Sequence, residues 1–308
     1  MTRLTEAARG VFVIAATPFT ANGALDLASV DRLVDFYLGH RVHGLTLLGL
    51  MGEAQKLTAD ESLRVVRRVL ARVGGRVPVV VGVSNPGLAP LAALAAEAMD
   101  AGAAGVMVAP AAGLRGDEAL FNYMASVCRV LDPATPLVYQ DYPQSTGVYL
   151  PVPLFHRMVE SFPQLVVLKH EDAPGLAKLT QIREDARRDG RRRVSVLVGN
   201  GALYYPQELA RGADGAMTGF AYPEMLVEIY ERFTAGDVDA AEDVFDAYLP
   251  LLRMEHQPGV GLAVRKAVLH RRGAIASPTV RVPGPSLTSE DQREIERLIV
   301  RLERRLKG

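Results

Sequence analysis

Lys169 closes the apolar run Leu165-Val166-Val167-Leu168. An amine held among apolar groups has its charged form disfavoured, and the neutral amine attacks carbonyl carbon. The chain has five lysines against thirty arginines, so this lysine does not reflect a general use of the residue. A lysine at a strand end also snorkels its ammonium to water, and composition alone does not separate the two roles. Tyr139 closes a second run, Leu137-Val138-Tyr139. There a phenol either packs in the core or passes protons to an imine carbon or a departing hydroxyl. Gly49-Leu50-Met51-Gly52-Glu53 follows a third run as a glycine-bracketed turn. Its backbone N–H groups suit a carboxylate, although any tight turn there can need glycine.

Gly199-Asn200-Gly201 and Thr218-Gly219 fall where barrels often bind phosphate, but no basic cluster accompanies them. Tyr204 stands where a dinucleotide fingerprint has its third glycine, and no G-x-x-x-x-G-K-[ST] occurs, so no nucleotide cofactor is expected. His170-Glu171-Asp172 reads as a charged, solvated loop, and His40-x-x-His43 crosses a helix end. No metal is expected from either.

These residues are spaced by a repeating pattern. Eight short apolar runs occur at 11–16, 45–48, 79–83, 106–109, 137–139, 165–169, 194–198 and 216–218. Each is followed by helical spacing, and the runs are continuous, as in strands buried on both faces. Asp26 and the Thr58-to-Glu61 capping box mark helix starts, and a second box is expected at Ser289 to Gln292. Gly102 and Gly212 stand where a left-handed residue ends a helix. Helices are predicted over 224–233, 238–252, 261–271 and 288–306 after the eighth run. The expectation is an α/β fold: a (β/α)₈ TIM barrel over 1–222 with a C-terminal helical extension over 223–308.

The 308 residues are 49% hydrophobic and 23% charged, as in ordinary globular chains. Lys+Arg and Asp+Glu both number 35, so there is no basic excess to announce nucleic acid or an anionic membrane as partner. Cys128 is the one cysteine, which excludes an intrachain disulfide and suits a reducing compartment. With no signal peptide or membrane span legible, the cytoplasm is the expected location.

Taken together, the motifs resemble the dihydrodipicolinate synthase / N-acetylneuraminate lyase family of Schiff-base-forming class I aldolases. Thr17-Pro18-Phe19 resembles the family's Thr-Pro-Phe, and Gly49 to Glu53 its G-T-T-G-E turn. Tyr139-Gln-Asp-Tyr-Pro143-Gln-Ser-Thr146-Gly147 is similar to Y-N-x-P-x-x-T-G, and Lys169 to the strand-six lysine. The glycine-rich ends of strands seven and eight match at Val198-Gly199-Asn200 and Gly212-Ala-Asp-Gly215. The resemblance implies that Lys169 forms an imine with pyruvate or another 2-oxo acid while Tyr139 relays protons. Gly49, Leu50, Met51, Gly199 and Thr218 would hold the substrate, in a homotetramer or homodimer without cofactor.

Several positions depart from the family pattern. Leu50 and Met51 replace the two threonines, and no tyrosine appears in Pro110-Ala-Ala-Gly113 after strand four. Ser145 stands for an arginine, and one extra residue lies between Tyr139 and Pro143, with another after Lys169. These losses predict poor dihydrodipicolinate synthase activity. They leave Asp141, Tyr142 and His170 without assigned roles. The leading expectation is a lyase or aldolase acting beside a 2-oxo group. The alternatives are a 2-oxo sugar acid dehydratase or hydratase using the same imine, and a non-catalytic ligand-binding barrel.

Overall fold

The computed structural model describes residues 3–307. Eight parallel strands close into one barrel in sequential order: Gly10–Ile14 (β1), Gly44–Leu47 (β2), Val79–Gly82 (β3), Gly105–Val108 (β4), Leu137–Asp141 (β5), Leu165–His170 (β6), Ser195–Val198 (β7) and Gly215–Thr218 (β8). The helices that follow them are Leu27–Gly39 (α1), Ala59–Val73 (α2), Leu88–Asp100 (α3), Asp117–Val130 (α4), the single turn Pro143–Thr146 (α5), Val152–Ser161 (α6), Gly175–Arg188 (α7), Tyr205–Ala210 (α8) and Pro223–Thr234 (α9). Val238–Glu255 (α10), Gly261–Arg271 (α11) and Ser289–Arg305 (α12) complete the chain. No helix among the described residues is long and apolar enough to cross a membrane.

Alternation along each strand sorts the core into two layers. Phe12, Ile14, Val80, Met107, Val138 and Val167 fill the barrel interior. Residues one step out of phase, such as Val13, Val81, Val108 and Leu168, pack with the helices outside. Most strand residues on both faces are therefore buried and apolar, with Thr46, Gln140 and Lys169 among the inward exceptions, which is why the runs are nearly continuous in the sequence.

Helix boundaries follow local chemistry. Thr58 and Glu61 form the expected capping box on α2, and Asp26 accepts from the Ser29 N–H at the start of α1. The box on α12 lies one residue earlier than expected, with Thr288 and Asp291 as partners, because the carboxylate of Asp291 reaches back to the Thr288 N–H. Gly102 and Gly212 adopt φ of +99° and +90°, the left-handed exit expected of them.

The expected boundary after residue 222 falls between β8 and α9. Helix α9 packs on β1 and α8, so α10, α11 and α12 are the helices outside the βα ring. Helix α11 has no polar stripe; from Gly261 to Leu269 it is enclosed on all sides, Arg265 and Lys266 included, and only His270 and Arg271 at its end are exposed. Two buried charges on one helix need built partners, and these lie at the C-terminal mouth of the barrel.

Candidate active site

A cavity of about 150 Å³ opens at the C-terminal ends of the strands. Lys169, Glu171, Gln140, Tyr142, Met51 and Thr218 line its barrel side, and Leu252, Glu255, His256 and Arg265 of the extension line the rest. A second cavity, of about 400 Å³, lies at the opposite end of the barrel beside His43, Pro78 and Ala104, away from all of these groups. Catalytic residues of this architecture stand at the C-terminal face, so the smaller cavity is the candidate active site.

Lys169 is buried at the end of β6, opposite Gln140 on β5 and Leu197 on β7. Its Nζ lies 3.1 Å from Glu171 Oε2. The Gln140 amide donates to the same oxygen at 2.8 Å. The backbone of Glu171 is held as well: its N–H donates to Asp141 O at 2.9 Å, and Asn200 Nδ2 donates to its carbonyl at 2.8 Å. Gly199 leaves the space that Glu171 occupies, since a Cβ there would collide with Glu171 Cγ. One carboxylate is thereby fixed against the amine from two neighbouring strands.

The register separates Tyr139 from this group. Tyr139 pairs with Leu168, not Lys169, and its ring lies in the outer core. Its hydroxyl is buried without a hydrogen-bond partner. Burial first, then Asp141 and Tyr123, push it well above the ordinary phenol range. The proton relay expected of Tyr139 at the Lys169 imine is therefore not supported by its position, because Tyr139 and the inward Gln140 are adjacent residues of one strand and face opposite sides. The structure puts Gln140 in the inward position. Counting back from Pro143-x-x-Thr146-Gly147, instead of forward from Tyr139, would have identified Gln140 in the sequence.

Of the other expected site residues, Leu50, Met51 and Thr218 reach the cavity. Gly49 sits just behind it against Ile14, and Gly199 contributes by the space it leaves. Tyr142 enters the cavity; burial, then Glu171, hold its phenol above the ordinary value, so it remains a proton donor. Asp141 and His170 turn outward, where Lys178 Nζ donates to Asp141 at 2.6 Å and the His170 ring meets Gly175 O at 3.0 Å. Glu171, read as part of a solvated loop, is buried, and His256 and Arg265 were not singled out at all. Their arrival depends on where α10 and α11 pack.

The turn after β2 is a 3₁₀ turn over Leu50–Gly52. The first N–H groups of such a turn have no acceptor within it and can receive a carboxylate. Thr17 Oγ1 donates to Gly52 O at 2.5 Å, and Glu53, left-handed with φ of 55° and fully buried, ties the turn to Lys266 of α11 and to Lys56. Lys266 also donates to Thr17 O and Thr279 O, each at 2.8 Å. The extension thus clamps the turn in place.

Comparisons with known proteins agree with this architecture. The dihydrodipicolinate synthetase family model matches residues 7–302. The chain is 35% identical to the L-2-keto-3-deoxyarabonate dehydratase of Azospirillum brasilense, over 96% of this chain and 94% of that one. It is 32% identical to a 4-hydroxy-tetrahydrodipicolinate synthase of Sorangium cellulosum, over 96% of each. Among solved structures, a dihydrodipicolinate synthase from Rhodopseudomonas palustris superposes with a TM-score of 0.95 at 45% identity, covering 98% of this chain and all of that one. With its closed barrel, its strand-six lysine and a match over nearly its whole length, the chain belongs to the dihydrodipicolinate synthetase family of class I aldolases and lyases.

Proposed function

We propose that this protein dehydrates a 3-deoxy-2-oxo sugar acid through an imine at Lys169. The observation that carries the reading is the carboxylate of Glu171, fixed 3.1 Å from Lys169 Nζ. The amine attacks C2, and the carbinolamine loses water to give the imine, with Glu171 and the protonated Tyr142 at hand to move protons. Glu171 then takes a proton from C3, and the resulting enamine expels the C4 hydroxyl, which leaves as water with that proton. Hydrolysis of the conjugated imine frees Lys169. The turn Gly49–Met51 receives the C1 carboxylate through its backbone, Thr218 faces the same cavity, and Gly199 keeps room for Glu171.

The likeness to a 2-keto-3-deoxy sugar acid dehydratase supports this reading over aldol condensation. So does Gln140, an amide, at the inward place on β5. Leu50 and Met51 bring no hydroxyl to the turn, and Ser145 no guanidinium, so condensation of pyruvate with aspartate semialdehyde is expected to be poor. We further propose a homo-oligomer, supported by the exposed rings of Tyr149 and Tyr204, and a cytoplasmic location, supported by the single unpaired Cys128.

Borohydride reduction with pyruvate tests the imine: the adduct should map to Lys169 and vanish in Lys169→Ala. Incubation with 2-keto-3-deoxyarabonate tests the reaction. A product lighter by one water supports dehydration, whereas release of pyruvate would replace it with aldol cleavage.

A further inference from the structure

Arg265 reaches the cavity from α11, and its side chain is 5% exposed. Its Nε donates to Glu255 Oε1 at 2.6 Å, and its Nη2 donates to Gly219 O. Its Nη1 is buried with no partner. Glu255 does not reach it: its Oε1 accepts from Nε, its Oε2 accepts from the Ala221 N–H at 3.0 Å, and neither oxygen bonds Nη1. A buried guanidinium nitrogen left unpaired is costly, and such groups are kept where something completes them. Two glycines make the arrangement possible. A Cβ at Gly219 would collide with Arg265 Nη1, and one at Gly201 would stand 2.7 Å from His256 Nδ1. Burial and then Arg265 push His256 below its ordinary value, so its ring adds no charge at neutral pH.

We infer that Arg265 and His256 form a distal subsite that reads a terminal hydroxyl of the 2-oxo acid held at Lys169. The inference rests on the imine reading above. The C1 carboxylate is provided for by the turn after β2, whereas Arg265 lies beside the end of β8, two strands away across β1. Arg265 has its charge balanced by Glu255, so what the pair lacks is a hydrogen-bond acceptor and not a second anion. A hydroxyl satisfies that demand; a second carboxylate would bring a buried charge without a counter-charge. The ligand class is therefore a 2-oxo acid with a hydroxylated far end, in preference to an alkyl 2-oxo acid or a 2-oxo diacid.

The test compares three ligands of equal chain length: 2-oxopentanoate, 5-hydroxy-2-oxopentanoate and 2-oxoglutarate. Half-saturation of borohydride trapping at Lys169 is the readout. The hydroxylated acid should saturate at about tenfold lower concentration than either of the others, as one charge-assisted hydrogen bond allows. Arg265→Met alone would bury an unpaired Glu255 and endanger folding, so the double variant R265M/E255M and the single variant Gly219→Ala are used. In both, the ratio between the hydroxylated and alkyl ligands should fall to about one. Equal weakening of all three ligands would reduce Arg265 to a structural role, and a preference for 2-oxoglutarate would make the subsite an anion site; either overturns the inference while leaving the imine intact. Absence of any adduct at Lys169 would remove the imine reading and this inference with it.

Discussion

Glu171 shares one oxygen between the Lys169 amine and the Gln140 amide, so it is positioned for proton transfer and not merely for charge balance. A positioned acid or base is worth about 10²–10⁴ in rate. Glu171→Gln should lower turnover of a 3-deoxy-2-oxo sugar acid by that order while pyruvate is still trapped on Lys169, which mass spectrometry of the reduced protein checks. Tyr139→Phe should behave differently. Its hydroxyl has no partner and lies in the outer core, so its removal deletes an unsatisfied group. The variant should keep its Tm and lose less than about tenfold in turnover, below what removal of a positioned proton donor costs.

At the scale of elements, the ends of β6 and β7 are built around one another. Gly199 accommodates the Glu171 side chain, so Gly199→Ala should displace the carboxylate and reproduce the kinetic loss of Glu171→Gln. Steady-state kinetics of the two variants side by side is the check. On the opposite side of the mouth, α11 reaches the β2 turn through the fully buried pair Lys266 and Glu53. Removing one member of a buried pair typically costs about 3–5 kcal/mol. Lys266→Met should therefore lower stability to denaturant by that order, and any folded fraction should need more pyruvate for trapping, because the carboxylate turn loses its clamp.

Across the whole molecule, Glu208 on α8 links stability to pH. Burial, opposed weakly by His170, pushes its carboxyl up to about 7. The folded state thus favours the protonated acid, and the unfolded chain ionises first as pH rises. The stabilisation is complete below about pH 4.5 and is lost as pH climbs through about 7, in all about 3 kcal/mol. Glu208→Gln cannot ionise and should become more stable than the natural protein as pH rises from about 5 to 8. Thermal melts across that range will show the two Tm curves diverging if the assignment holds, and parallel curves would refute it.

Much of this architecture was legible in the order of residues. Eight continuous apolar runs announced strands buried on both faces, and caps such as Thr58 with Glu61 marked helix starts, because both depend on neighbours a few positions away. Lys169 was identifiable for the same reason: its run is local, and it ends at the barrel mouth. The parity of β5 was not. Tyr139 looked like the last residue of its strand, but β5 runs on to Asp141 and its register with β6 shifts between Leu137 and Val138, so Gln140 takes the inward place. A one-residue change of phase turns every side chain to the other face, and only the pairing with β6 specifies it. Glu171 likewise looked solvated until Gly199 and Asn200 closed over it from β7. Arg265 and Lys266 on α11, and His256 just past the end of α10, lie some hundred residues from Lys169 in the chain, in segments with no motif of their own. Their meeting with the barrel mouth is decided by how α10 and α11 pack, because burying their apolar surfaces carries the charged groups in with them.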